Sequence, residues 1–376
     1  GIIWPSSLFS LKKFTNQNSL DNFNSGTSKS VDEPEVVEVS IDSVSVAGDT
    51  SKLHLQSYNP TSYLDQNRSV YGYNYKRHGL DVIDMAGLKV DRFIPFEHHG
   101  PDAVNMQVAG LKALSPDTIA IYDGIAVCLI DSMGKVRDRI KLSDDYYCNI
   151  ETNSRMNITD FNIDFDKHTV TYPAVNHEKG FEVVVYDFGS GSVLKNVRLR
   201  KPVSEGKHGF MGAPNVTFNK DLAIYNYPFE SDIYVYDMSA DSTRVIHAKS
   251  NFVDEVMPES KGNTSELLER YGMENFFHSP LYYLEKEGKY VMVTLDGAPV
   301  EPNGDIAEAI YGRKLYAMYF DKDFNPVGEC ELPQNRYNPF VGWFTTPEYL
   351  GFFVENVFHP VDEDTILIDK VTYKDR

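Results

Sequence analysis

The chain has 376 residues, 41% of them hydrophobic and 24% charged, with 36 Lys and Arg against 55 Asp and Glu for a formal net charge of −19. This balance fits a soluble globular chain with enough apolar material for a core and excludes disorder throughout. The acid excess removes the broad basic surface that binds phosphates, so nucleic acid is not an expected partner.

Residues 1–34 come first. The chain opens on Gly1, as a processed or trimmed chain would, and residues 2–14 carry Trp4 and two Phe, an apolar stretch expected to dock on the domain. The following run, TNQNSLDNFNSGTSKSVDEP, is polar and rich in Asn and Ser, which reads as an N-terminal tether. A tether near a mature N-terminus suits an exported, lipid-anchored protein, and no run reaches the roughly 18 apolar residues that span a bilayer. The three cysteines, Cys128, Cys148 and Cys330, form no CxxC pair; at least two read as small buried hydrophobes.

From residue 35 onward the chain repeats itself. A short apolar run ending in Asp recurs as LDVID (80–84), VCLID (127–131), VVVYD (183–187), IYVYD (233–237), YAMYFD (316–321) and ILID (366–369). Before each lies a β-branched or aromatic run, such as SVYGYNY at 69 or LAIYNYP at 222, entered through a turn signal and a further strand-like run. After five of them come turn residues and a last strand, such as KVDRFIPF or TRVIHA. Four strands with three tight turns make a meander. The Asp-to-Asp intervals are 47, 56, 50, 84 and 48 residues, near the period of about 40 to 50 that marks propeller blades. The sixth unit lacks its fourth strand, while EVVEVSIDS (35–43) is a strand without a meander. Lending the second to the first closes a ring and hides the edges. The expected fold is therefore all-β: one domain over 35–376, a six-bladed β-propeller of four-stranded antiparallel blades closed by an N-terminal strand. The long interval holds insertions at about 251–278 and 296–313, each with a short helix; NTSELLERYG offers an N-cap at Asn263 with Glu266 three residues on. These form either a lid over the channel mouth or a cap on exposed strand ends.

The segment FEHHGPDAV (96–104) resembles the Gly-Pro-x-x-Val connector of six-bladed NHL-like and TolB-like propellers. The chain as a whole is similar to the six-bladed β-propeller lipoproteins of Bacteroidetes, a family of unknown function, over about residues 35–376. The resemblance implies the fold and an exported location, periplasmic or at the cell surface, with membrane contact only through a lipid anchor. It carries over no catalytic residue.

Two sets of residues mark where a ligand could sit. Connectors feeding the inner strands carry Glu97, His98 and His99, then Arg155, Lys207 and His208, His278, and Arg336, Tyr337 and Asn338; His359 follows the last second strand. If His98, His99, Arg155, His208, His278, Arg336, Asn338 and His359 converge at the channel mouth, they suit an anionic ligand such as a uronate or a carboxylated peptide. Taken singly, each is an ordinary loop residue. At the turn between second and third strands stand Asn74, Asp123, Asn176, Asn226, Asp296 and Asn356, a ring that could hold a divalent cation such as calcium or sugar hydroxyls. The stronger reading there is turn chemistry, because Asn and Asp bond the local backbone, and no metal or cofactor is assigned. There is no GxSxG elbow, HExxH, P-loop or GxGxxG after a strand, so no catalytic residue is assigned. The expectation is a binding propeller for a glycan, peptide or protein partner. The competing one is a propeller hydrolase or lyase acting on an oligosaccharide or lactone.

Overall fold

The computed structural model describes residues 28–29, 34–48, 54–106, 108–123, 126–143, 145, 160–176, 180–202, 207–208, 212–262, 264–301, 304–338, 342–356, 358, 362 and 364–374. Residues 2–14 and Cys148 lie outside them.

Two N-terminal strands, β1 (Ser28–Lys29) and β2 (Val39–Ala47), precede the repeats. The first meander is β3 (Thr61–Leu64), β4 (Ser69–Asn74), β5 (Gly79–Asp84) and β6 (Lys89–Pro95). The second is β7 (Gly110–Ser115), β8 (Thr118–Tyr122), β9 (Ala126–Ile130) and β10 (Val136–Lys141). The third is β11 (Asn162–Asp164), β12 (Thr169–Asn176), β13 (Gly180–Asp187) and β14 (Ser192–Arg198). The fourth is β15 (Asn215–Asn219), β16 (Leu222–Asn226), β17 (Asp232–Asp237) and β18 (Ser242–His247). Helix α1 (Ser265–Glu274) then leads to β19 (Phe277–Leu284) and β20 (Lys289–Leu295), and helix α2 (Ile306–Tyr311) to β21 (Leu315–Phe320) and β22 (Pro326–Glu331). Last come β23 (Trp343–Thr345), β24 (Leu350–Phe353) and β25 (Thr365–Tyr373).

Middle strands are buried on both faces, as β4 and β9 are throughout, whereas the outer strand β14 alternates exposed with half-buried residues. Sheets packed face to face demand this pattern, and the apolar runs supply it. The core lies between neighbouring sheets. Leu80 and Ile94 pack with Ile119 and Cys128, Tyr122 and Leu129 with Tyr172 and Val184, and Ile224 and Val235 with Met292 and Phe320. Val70 and Ile83 meet Phe353 and Ile368, which joins the last meander to the first. At the turn before β10, Gly134 has φ +85°, and a Cβ there would stand 1.9 Å from the Pro95 carbonyl oxygen. Only glycine permits that approach.

Hydrogen bonding corrects the expected count of six separate blades. Four meanders stand as sheets of their own, one with β1 added beside β18, but the other eight strands form one sheet in the order β23-β24-β25-β2-β6-β5-β4-β3. The fusion is narrow: one parallel pair, Ala47 with Lys89, links β2 to β6. The closing strand runs over Val39–Ala47 rather than 35–43 and pairs antiparallel with β25 along its whole length, from Val39 opposite Tyr373 to Ala47 opposite Thr365. Upstream, Val36 bridges Glu329, and Ser28 and Lys29, inside the span expected to be a tether, pair with Val245 and Ile246 of β18. The described part of the N-terminal segment therefore runs along the outer strands β18 and β22 and then supplies the outer strand of the last meander. Cys128 and Cys330 are buried and unpaired with each other; burial pushes their thiols up to about 11 and about 12.

Candidate functional site

The first strand of a meander lies innermost, so its side chains are the ones that meet across the centre. A central cavity of about 260 Å³ is lined there by Tyr63 of β3, Lys112 of β7, Asp160 just before β11, Phe218 of β15, Tyr282 of β19 and Trp343 of β23. Every meander contributes one of these six. Tyr283, Tyr290 and Phe344 add further aromatic surface, and Thr61, Ser62, Thr217, Asn219 and Thr345 add hydroxyls and an amide.

The cavity holds one ion pair. Lys112 Nζ stands 3.0 Å from Asp160 Oδ1, both side chains partly exposed. Asp160 is fixed by the backbone: its Oδ1 accepts from the Phe161 N–H at 2.9 Å and its Oδ2 from the Phe218 N–H at 2.9 Å. The carboxylate thus ties the entry of β11 to β15 while facing the cavity. Trp343 Nε1–H donates to Tyr282 Oη at 2.7 Å, and Asn219 Nδ2 donates to Tyr290 Oη at 2.6 Å. Burial raises the pKa of the Tyr282 and Tyr290 phenols, so both stay protonated at neutral pH and keep a hydroxyl to donate. Thr217 Oγ1 is buried and has no hydrogen-bond partner among the described residues.

None of the described connector residues singled out in the sequence lines this cavity. His98 and His99 are exposed after β6, the His98 ring 4.5 Å from that of buried His78. His208 is buried, stacked 3.9 Å from Phe229, with Nδ1 2.9 Å from Tyr271 Oη of α1; burial lowers its pKa. His278 is buried at the start of β19 with Nδ1 2.8 Å from Thr294 Oγ1, and burial pushes its imidazole down to about 3. Arg336 holds Asp369, and Asn338 Nδ2 donates to Glu355 at 3.2 Å. Arg155 and His359 lie outside the described residues. The described members are spread over different sheets.

The Asn and Asp of the second-to-third turns bond nearby backbone. Asn74 Oδ1 accepts from the N–H groups of Lys76 and Arg77, Asp123 Oδ1 from Ala126, Asp296 Oδ1 from Gly297 and Asn356 Oδ1 from Phe358. Asn226 instead reaches across, donating to the Ser279 carbonyl at 3.1 Å; the Asn176 side chain lies outside the description. No group of three or more His, Cys, Asp or Glu side chains placed to hold a metal occurs among the described residues.

The sequence profile of DUF4221, a domain of unknown function, matches residues 28–331, from β1 through β22. The chain belongs to the DUF4221 family. A crystal structure of a DUF4221 member from Bacteroides vulgatus is similar at a TM-score of 0.74 with 15% identity, over 91% of this chain and 99% of that one. A Bacteroides fragilis protein, described as a candidate exported protein, is similar at a TM-score of 0.58 with 12% identity, over 93% of this chain and all of that one. At these identities the likeness shows the fold. No curated protein matches the chain. No described helix is long and apolar enough to cross a membrane.

In this DUF4221 chain the two insertions form the expected short helices. Thr264, rather than Asn263, caps α1, its Oγ1 accepting from the Leu267 N–H at 3.4 Å; Asn263 lies outside the described residues. Arg313, buried just before β21, locks the pair: its guanidinium donates to the carbonyls of Gly272 at 3.1 Å, Asn275 at 2.5 Å and Asp296 at 2.5 Å. No described residue of either helix lines the cavity.

Proposed function

We propose that this DUF4221 chain is an exported binding protein that takes a small ligand, a glycan ring or a peptide side chain, in the central cavity. The observation that carries the reading is the convergence of aromatic side chains and the Lys112–Asp160 pair from the innermost strands. Concave apolar walls with a few polar groups are what a small-molecule site requires. The eight-stranded sheet counts as two blades in this reading, because a single residue pair joins its halves and the ring is then six-bladed. Export is supported by the described Bacteroides fragilis relative, and the lipid anchor by the composition of the N-terminal run. Cleavage of a glycosidic bond calls for two carboxyl groups about 5 to 10 Å apart. Asp160 is the one carboxylate among the described residues that line the cavity.

Thermal unfolding against panels of sugars, short peptides and divalent cations, with and without chelator, tests the reading. A ligand of the native state raises the midpoint by mass action. A rise that Lys112→Met abolishes supports the channel. A rise only with cations, reversed by chelator and insensitive to Lys112→Met, overturns it.

A further inference from the structure

We infer that the ligand of the channel is an uncharged, hydroxylated sugar ring; the inference rests on the reading of the channel as the binding site. The first argument is charge. Lys112 and Asp160 lie 3.0 Å apart, so the fixed charges of the cavity cancel. A cation would meet Lys112 and an anion Asp160, each at the cost of losing water. The net charge of −19 disfavours an anion further at long range.

The second argument is surface. Tyr63, Phe218, Tyr282 and Tyr283 are half-buried, so each shows the cavity part of a ring rather than hiding it in the core. A ligand with an apolar face gains by covering them. The third is hydrogen bonding. Lys112 offers donors, Asp160 offers acceptors, and the Tyr282 and Tyr290 hydroxyls can do either. A planar hydrocarbon or an aromatic side chain would dehydrate Lys112 and Asp160 without replacing what they lose, a cost charged in full to binding. Hydroxyl groups both donate and accept, and a pyranose carries them around its rim while its C–H faces stay apolar. The fourth is size. About 260 Å³ falls just below the roughly 300 to 1,000 Å³ usual for drug-sized ligands, which suits a single ring.

Calorimetric titration of the full chain with glucose, galactose, mannose and N-acetylglucosamine tests this. Glucuronate, glucosamine and N-acetyltyrosinamide serve as the charged and aromatic comparators. At least one neutral sugar is expected to bind, with its charged counterpart about tenfold weaker or worse. Lys112→Met and Asp160→Asn should each weaken it by about tenfold, the scale of one charge-assisted hydrogen bond, with near-ultraviolet dichroism unchanged. Equal binding of the charged counterpart overturns neutrality. Binding by N-acetyltyrosinamide alone, lost in Lys112→Met, overturns the sugar and leaves the channel standing. Sugar binding undiminished in both variants overturns the channel itself, and no binding by any neutral sugar overturns the inference.

Discussion

Asp369 and Asp237 end the same apolar pattern in two copies, yet their carboxylates hold different partners. Asp237 closes the turn after β17, its Oδ1 accepting from the N–H groups of Ser239 and Ala240 at 2.9 Å each. Asp84, Asp131, Asp187 and Asp321 do the same at their own turns. Asp369 has no such turn to close, because the fourth strand of its meander comes from the N-terminus and β25 runs on to Tyr373. Its buried carboxylate accepts instead from Arg336 Nη2 at 2.9 Å, Tyr337 Oη at 2.7 Å and Ser43 Oγ at 2.7 Å, the last on the closing strand itself.

The two sites should therefore respond differently to the same change. Asp237→Ala removes a turn cap from an exposed loop and should cost about 1 kcal/mol, in the range of helix caps. Asp369→Ala leaves Arg336 and Tyr337 facing a buried gap and should cost about 3 kcal/mol, at the low end for a broken buried pair because Arg336 is partly exposed. Urea unfolding of both variants measures the difference; equal costs would refute the separate role of Asp369.

Strand order within the meanders was legible because the physics that produces it is local. Apolar runs of five to eight residues, each with a turn signal, fix both the strands and their antiparallel sequence. The closing role of β2 could be read from a missing strand at one end and a spare one at the other. The cavity was less legible. Tyr63, Lys112, Asp160 and Tyr282 sit in or beside inner strands whose composition resembles that of any strand. What brings them together is their meeting across the centre, a relation between segments up to about 220 residues apart that no local pattern encodes. Trp343, one of two tryptophans in the chain, was the available signal. Of the connector histidines, His208 meets Tyr271 of α1, 63 residues on, a contact that no local pattern encodes, whereas His278 meets Thr294 of β20, the very next strand.

His278 makes stability depend on pH in a definite direction. Burial pushes its folded pKa from 6.5 to about 3, so between these values the unfolded chain takes up a proton that the folded chain refuses. Stability falls as pH drops below 6.5, by at most about 1.4 kcal/mol per unit, and is unaffected above it. Lowering the pH from 7 to 5 should cost the wild type about 2 kcal/mol more than His278→Gln. Urea midpoints at the two values check this; parallel losses in both proteins would show that His278 takes up its proton in the folded state.

The closing strand gives a sharper test of architecture. A chain beginning at Pro34 loses β1 and its two residue pairs but keeps β2, so its midpoint should move by only about 2 °C. A chain beginning at Gly48 also loses the ladder to β25 and the fully buried Val46, which exposes the β25 edge. That shorter chain should unfold without cooperativity or aggregate in light scattering. If it melts as sharply as the longer one, β2 does not close the ring.

Arg313 should control the insertions without touching the rest of the ring. The last carbonyls of a helix have no partner within it, and here one guanidinium serves the end of α1, the residue just beyond it and the chain leaving β20. Burial lowers the pKa of Arg313 to about 10, so it remains charged at neutral pH. Arg313→Met removes every one of these donors and should cost about 3 kcal/mol, since each stranded carbonyl loses roughly 1 kcal/mol or more. Lysine restores the charge but lacks the planar fork that reaches three acceptors, so Arg313→Lys should recover only part of the loss. Hydrogen exchange locates the effect. Amides of 265–274 should exchange faster in Arg313→Met, while those of β12 and β13, on another sheet, should keep their protection. Uniform loss across both regions would mean that Arg313 supports the whole ring rather than joining its two insertions.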